Sequence, residues 1–311
     1  MPDDTSRLTE LLDELSQLDT EAQDAERGDL DLLDTAELVR RMNAEDQRVP
    51  TAVAERSAEI AQAVDGITDR FRRGGRLVYM GAGTAGRMGV LDASECPPTF
   101  GTDPSMVVGL IAGGEPAIRS AVENAEDDED AAIVALRDME IGALDTVVGI
   151  SASGRTPYVI SGLTFAREQG ALAVAIASNR DSAIGAVADI AIEVVTGPEF
   201  ISGSTRLKSG TAQKLVVNML TTLSMIKLGK TYRGMMVDLL ATNEKLHARS
   251  IRTVSTLAGV GTPEAASTLR EAGGSVKLAL LVLATGASAE EGASALEAAD
   301  GILRDAIAAL R

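Results

Sequence analysis

Arg76-Leu-Val-Tyr-Met80 runs without interruption into Gly81-Ala-Gly83-Thr-Ala-Gly86. A short run of β-favouring residues opening into a glycine-rich turn reads as a buried strand that ends where a helix begins. Downstream the same alternation continues. The pattern predicts a strand near Met106–Ile111, a helix from Pro116 to about Arg137, a strand over Thr146–Ile150 and a helix from Thr156 to Glu168. Strands over Ala171–Ala177 and Ile190–Val195 follow, and then a long helix from about Thr205 to Leu228 with Gly229 placed to cap it. On that helix Leu215, Val216, Met219, Leu220, Leu223 and Ile226 form one apolar face. Strands alternating with helices imply βαβ units, and therefore an α/β fold built on a parallel sheet.

Upstream of Arg76 the chain reads as helical. Leu8, Leu11, Leu12 and Leu15 recur at helical spacing, a second pattern runs from Thr35 through Met42, and a third helix is expected from Val53 to Phe71 before Gly74-Gly75. After Asn243 the strand signal disappears, leaving short helical stretches broken at Gly261-Thr-Pro263, Gly273-Gly274, Gly286 and Gly301. The expected organisation is an N-terminal helical segment over 1–68, a parallel-sheet domain over 69–232 and a small helical bundle over 233–311.

Composition narrows the function. The 311 residues are 45% hydrophobic but only 2% aromatic, with no Trp, so the core must be built from Ala, Val, Leu, Ile and Met, with Gly at close approaches. The formal charge of −17 repels nucleic acid and anionic lipid surfaces, and a phosphate ligand needs a local site to overcome that field. One Cys (Cys96) and one His (His247) allow no internal disulfide and no Cys/His zinc cluster; Cys96 reads as a small core residue and His247 as a surface or interface side chain. The acidic start Met1-Pro-Asp-Asp4 is unlike a signal peptide, and the apolar run Leu278 to Ala284 is far short of a membrane span of about 20 residues. A cytoplasmic enzyme without metal or nucleotide cofactor is the expectation.

Gly81-Ala-Gly83-Thr-Ala-Gly86 fits the dinucleotide pattern, but the acidic partner expected about 20 residues on is missing, because Asp92-Ala-Ser-Glu95-Cys-Pro-Pro98 cannot be a central strand. A general strand-to-helix anion loop is the better reading, with Gly83 and Thr84 as substrate-binding candidates; the alternative is a purely structural turn. Ser151-Ala-Ser153-Gly-Arg-Thr156-Pro157 likewise follows a strand and precedes a helix, so Ser151, Ser153 and Thr156 can converge on one anion; the alternative is an N-capping cluster. Gly203-Ser204-Thr-Arg206-Leu-Lys208 sets two cations and two hydroxyls at the start of the long helix, either as ligands or as a capped end with solvated charges. Glu95 lies near a helix C-terminus among apolar residues, which favours a neutral carboxylic acid. Glu126 on its own reads as part of a solvated acidic face.

Several ordered blocks, taken together, resemble the N-acetylmuramic acid 6-phosphate etherase family of the sugar isomerase (SIS) superfamily, from about Leu30 to the C-terminus. They include Met42-Asn-Ala-Glu-Asp46, Tyr79-Met-Gly-Ala-Gly-Thr84, Leu91-Asp-Ala-Ser-Glu-Cys-Pro-Pro-Thr-Phe-Gly101, Ala121-Val-Glu-Asn-Ala-Glu-Asp127, Ser153-Gly-Arg-Thr-Pro-Tyr158 and Gly203-Ser-Thr-Arg-Leu-Lys208. The resemblance implies an SIS fold and cleavage of the D-lactyl ether of a phosphorylated amino sugar by elimination and hydration. It makes Glu95 the acid and Glu126 the second catalytic carboxylate, with Ser204, Arg206 and Lys208 among the substrate contacts. It also implies a homodimer with active sites near the subunit boundary. Two positions depart from the family: Ala85 replaces the usual Ser, and Thr20-Glu21-Ala-Gln23-Asp24 stands for Thr-Glu-x-Arg-Asn. Other members of the superfamily are sugar-phosphate sensors or aldose–ketose isomerases, which leaves a regulator and an isomerase as competing readings.

Overall fold

The computed structural model describes Thr9 and residues 18–23, 27–239 and 243–311; the Leu8 to Leu15 pattern and Asp24 lie outside the described residues. The chain divides into two compact units. One gathers the described residues through Ser94 with Ser105–Leu220, and the other comprises Glu95–Pro104 with Thr221–Arg311.

In the first unit, β1 (Leu77–Gly81), β2 (Val107–Ile111), β3 (Thr146–Ser151), β4 (Leu172–Ala177) and β5 (Ile190–Glu193) form a fully parallel sheet in the order β2-β1-β3-β4-β5. Every residue of β1 and β3 is buried, as expected of central strands covered on both faces, whose sequences then read as apolar runs rather than alternations. The helices that lie wholly or partly in this unit are α1 (Thr35–Asp46), α2 (Val49–Ala54), α3 (Ser57–Arg72), α4 (Gly83–Phe100, of which Glu95 onward belongs to the second unit), α5 (Glu115–Arg119), α6 (Glu129–Asp138), α7 (Pro157–Glu168), α8 (Ala183–Val187) and α9 (Lys208–Lys227, of which Thr221 onward belongs to the second unit). On one side of the sheet Val78, Met80 and Val147 pack with Ala132, Leu136, Tyr158, Val159 and Leu163. The near absence of large aromatics is met by close approach, since a Cβ added at Gly149 of β3 would lie 2.6 Å from Val159 Cγ1.

Three elements differ from the sequence expectation. The helix expected from Pro116 to Arg137 is broken into α5, a 3₁₀ turn at Ala125–Asp127 and α6. Asn124, which tolerates the left-handed region, turns the chain at φ 59°, and the Asp128 carboxylate restarts the helix by accepting from Ala131 N. The expected single helix over Val53–Phe71 is instead α2 followed by α3. The predicted apolar face of α9 is also split: Val216 and Leu220 are buried, whereas Met219, Leu223 and Ile226 are 37, 39 and 46% exposed.

In the second unit, Val254, Leu269, Leu280, Leu281, Leu303 and Ile307 lie in one core. They come from α10 (Glu244–Ala258), α11 (Thr262–Glu271), α12 (Val276–Thr285) and α14 (Leu303–Ala309), and α13 (Ala289–Ala298) completes the helices. Gly259 and Gly286 end α10 and α12 in the left-handed conformation. A hairpin the sequence reading did not anticipate pairs β6 (Thr231–Tyr232) with β7 (Met235–Met236), turned by Arg233 and Gly234 at φ 47° and 76°.

Candidate functional site

In this sheet order the chain leaves β1 toward β2 and leaves β3 toward β4, on opposite sides, so the carboxyl ends of β1 and β3 flank the topological switch point. Both glycine- and hydroxyl-rich loops picked out in the sequence emerge there. Gly81 pairs with Ile150 in the sheet, and Gly83-Thr84 and Ser151–Thr156 follow the two strand ends. Gly83 adopts φ 52°, and a Cβ there would meet no atom within 4 Å, which leaves the loop open on that side.

The β3 loop is a compact hydroxyl nest. Ser151 Oγ lies 2.8 Å from Thr156 Oγ1 and 3.3 Å from Ser153 Oγ, while Gly154 N donates to Ser151 Oγ at 3.0 Å and Arg155 N to Ser153 Oγ at 3.3 Å. Thr156 occupies the N-cap position of α7, yet its side chain makes no cap hydrogen bond, so the capping alternative does not account for its hydroxyl. Ser151, Ser153 and Thr156 are thus brought together just ahead of α7, whose first-turn N–H groups favour an anion. Next to them, burial and then the charge of Asp128 push the Tyr158 phenol up to about 12, so it remains neutral.

The break at Asn124 changes the setting of Glu126. Glu126 remains exposed, as its sequence setting suggests, but it no longer sits on a long helix and it lines a cavity of about 250 Å³ together with Ala82, Gly83, Arg87, Glu123 and Asn124. The Gly83 loop and Glu126 therefore share one recess. Glu95 belongs to the second unit, near the C-terminal end of α4. Its side chain is exposed, so the apolar surroundings expected to favour a neutral acid do not enclose it. Cys96 is buried and His247 exposed on α10, as their sequence settings suggest.

A profile of the glucokinase regulatory protein N-terminal SIS domain matches residues 59–167, and one of the SIS domain matches residues 122–223. The chain is 55% identical over 296 residues to the N-acetylmuramic acid 6-phosphate etherase of Streptomyces avermitilis, covering 95% of each chain. It is 52% identical to that of Rhizobium rhizogenes and 54% identical to that of Brucella anthropi, each over 96% of this chain and 97% of the relative. The chain belongs to the N-acetylmuramic acid 6-phosphate etherase family.

Within that etherase family frame, the Gly203–Lys208 block divides. Ser204 is half-buried and Arg206 exposed, but Lys208 is 1% exposed and its Nζ donates to Glu45 Oε2 at 2.8 Å. Arg27 reaches the same carboxylate oxygen, also at 2.8 Å. Burial pushes the Glu45 carboxyl up, but the Lys208 hydrogen bond and the charges of Lys208, Arg27 and Arg48 outweigh it and hold the group below the usual carboxylate range. Lys208 is therefore a buried strut and not an open ligand, because an ammonium taken out of water needs this partner. The N-terminus of α9 is likewise occupied from within, with Lys208 N and Ser209 N both donating to Glu199 at 2.9 Å. The etherase blocks containing Glu45 and Lys208 thus meet across the fold.

Sequence reasoning passed over Asn179, which ties the site together. Its Nδ2 donates to Ala152 O at 3.0 Å, Ser153 O at 3.3 Å and Thr20 Oγ1 at 3.2 Å, and its Oδ1 accepts from Thr20 N at 3.4 Å. Glu21 follows, close enough to Gly203 that a Cβ there would lie 2.9 Å from its Oε2. Thr20 of the N-terminal etherase signature is thus linked through Asn179 to the hydroxyl loop, while Glu21 lies beside Gly203. A polar residue just past the carboxyl end of β4 was the available signal for Asn179.

Proposed function

We infer that this chain cleaves the D-lactyl ether of N-acetylmuramic acid 6-phosphate, giving N-acetylglucosamine 6-phosphate and D-lactate in the recycling of cell-wall sugars. The observation that carries this reading is identity above 50% to etherases over nearly the whole chain.

The residues divide the work as follows. Ser151, Ser153 and Thr156 hold the 6-phosphate, and Gly83, Thr84, Ser204 and Arg206 border the sugar. With the ring open, the C2 hydrogen is acidified by the C1 aldehyde. Glu126 removes it, the C–H electron pair becomes the C2–C3 double bond, and the C3–O bond breaks. Glu95 gives its proton to the departing lactate oxygen. Water then adds at C3 of the unsaturated aldehyde and a proton returns to C2, so the carboxylates end as they began. The reading is supported by Glu126 and Gly83 lining one recess and by the three hydroxyls gathered ahead of α7.

The enzyme is further proposed to work in the cytoplasm as a homodimer. The exposed stripe Met219, Leu223 and Ile226 on α9 supports a second copy covering it. A sugar-phosphate sensor is the second reading, favoured by the regulatory-protein profile over 59–167. Incubation with N-acetylmuramic acid 6-phosphate and measurement of free D-lactate decides between them. Stoichiometric release that persists in a chelator establishes the etherase; binding without release establishes the sensor.

A further inference from the structure

We propose that Arg87 recognises the lactyl carboxylate of the substrate and so separates N-acetylmuramic acid 6-phosphate from sugar phosphates that lack it. The inference rests on the etherase reading and on Glu126 as the C2 base.

Arg87 lies in the first turns of α4 and is, among the described residues, the one cation lining the 250 Å³ recess that Gly83, Glu123 and Glu126 also line. Its guanidinium is oriented by two backbone oxygens: Nε donates to Ile118 O at 3.1 Å and Nη2 to Ser120 O at 3.4 Å. Neither acceptor is a carboxylate, and no described acidic residue ion-pairs with Arg87. A half-buried guanidinium without a counter-ion, in a chain of net charge −17, has donors left for an anion.

The covalent structure of the substrate says which anion. The phosphate is on C6, at the far end of the sugar from the carbon that Glu126 deprotonates, whereas the lactyl ether is on C3, next to C2. A group beside Glu126 therefore meets the lactyl carboxylate and not the phosphate. That carboxylate would enter a recess already bearing Glu123 and Glu126, and it needs a fixed positive charge to do so. Planar, bidentate pairing with carboxylate is what a guanidinium offers and an ammonium does not.

The test compares two ligands on Arg87→Met. KM for N-acetylmuramic acid 6-phosphate should rise by roughly tenfold to a hundredfold, as for a lost charge-assisted hydrogen bond. Competitive inhibition by N-acetylglucosamine 6-phosphate, which carries the phosphate but no lactyl group, should stay within about threefold of wild type. Arg87→Lys should recover part of the loss if Arg87→Met folds poorly. An equal loss for both ligands would make Arg87 a tether of the Ile118–Ser120 loop or a phosphate ligand, and an unchanged KM would remove it from the site; either overturns the proposal. A wild-type protein that releases no lactate overturns the etherase reading itself, which is a different result from lactate release with equal losses in the variant.

Discussion

If Glu126 takes the C2 proton and Glu95 delivers one to the leaving oxygen, isotopes separate their parts. Glu95→Ala should still exchange the C2 hydrogen with solvent deuterium while losing lactate release by on the order of 10² to 10⁴, because enolisation needs only the base. Glu126→Gln should lose both, and mass spectrometry of recovered substrate distinguishes the two. A second contrast concerns the anion. Ser153→Ala should raise KM for the 6-phosphate sugar roughly tenfold to a hundredfold with little change in melting temperature, since its hydroxyl is half-buried in the nest beside Ser151. Lys208→Met should do the opposite, lowering stability by about 3 kcal/mol because Glu45 loses its more deeply buried partner. A large KM effect with unchanged stability in Lys208→Met would return that residue to the ligand set.

At the level of elements, the site depends on β1 and β3 staying in register, and one carboxylate at their amino ends fixes that. Asp145 Oδ1 accepts from Arg76 N and Nε at 3.0 Å, and its Oδ2 accepts from Arg76 Nη2 at 2.9 Å and Gly142 N at 3.0 Å. Burial pushes the Asp145 carboxyl up, but the Arg76 and Gly142 hydrogen bonds outweigh it and hold the group below the usual Asp range. A depressed carboxylate stabilises the fold above its unfolded pKa of about 3.9, and that contribution is lost as pH falls through the lower folded value. Asp145→Asn should therefore lower the melting temperature at pH 7 by an amount equivalent to about 2–3 kcal/mol. The gap from wild type should narrow below about pH 4, where Asp145 of the unfolded chain begins to protonate while the folded group is still charged. A gap that is constant with pH would mean that packing and not charge carries the effect.

For the molecule as a whole, the exposed apolar stripe of α9 is a feature poorly suited to an isolated chain. Leu223→Glu should shift light-scattering mass from twice 32.3 kDa toward 32.3 kDa, because a charge on a covered apolar face is costly to desolvate. If the wild type already runs at 32.3 kDa, the homodimer is excluded.

The alternation of strands and helices, the aromatic-poor core and the two loops at strand ends were all legible in the sequence, because periodicity and glycine placement are local properties. So was the family, carried by ordered blocks from Met42 to Lys208. The fate of individual charges was not legible. Lys208 reads the same in a linear chain whether it faces a phosphate or Glu45, 163 positions away, and only folding brought that carboxylate within 2.8 Å. Glu126 stays exposed among other acids, but only the folded chain, turned at Asn124, sets it on the same recess as Gly83. Local sequence fixes which backbone forms and where it can bind an anion; which side chain is spent on internal neutralisation and which is left for substrate depends on desolvation and on contacts between distant segments, and those exist only in the folded chain.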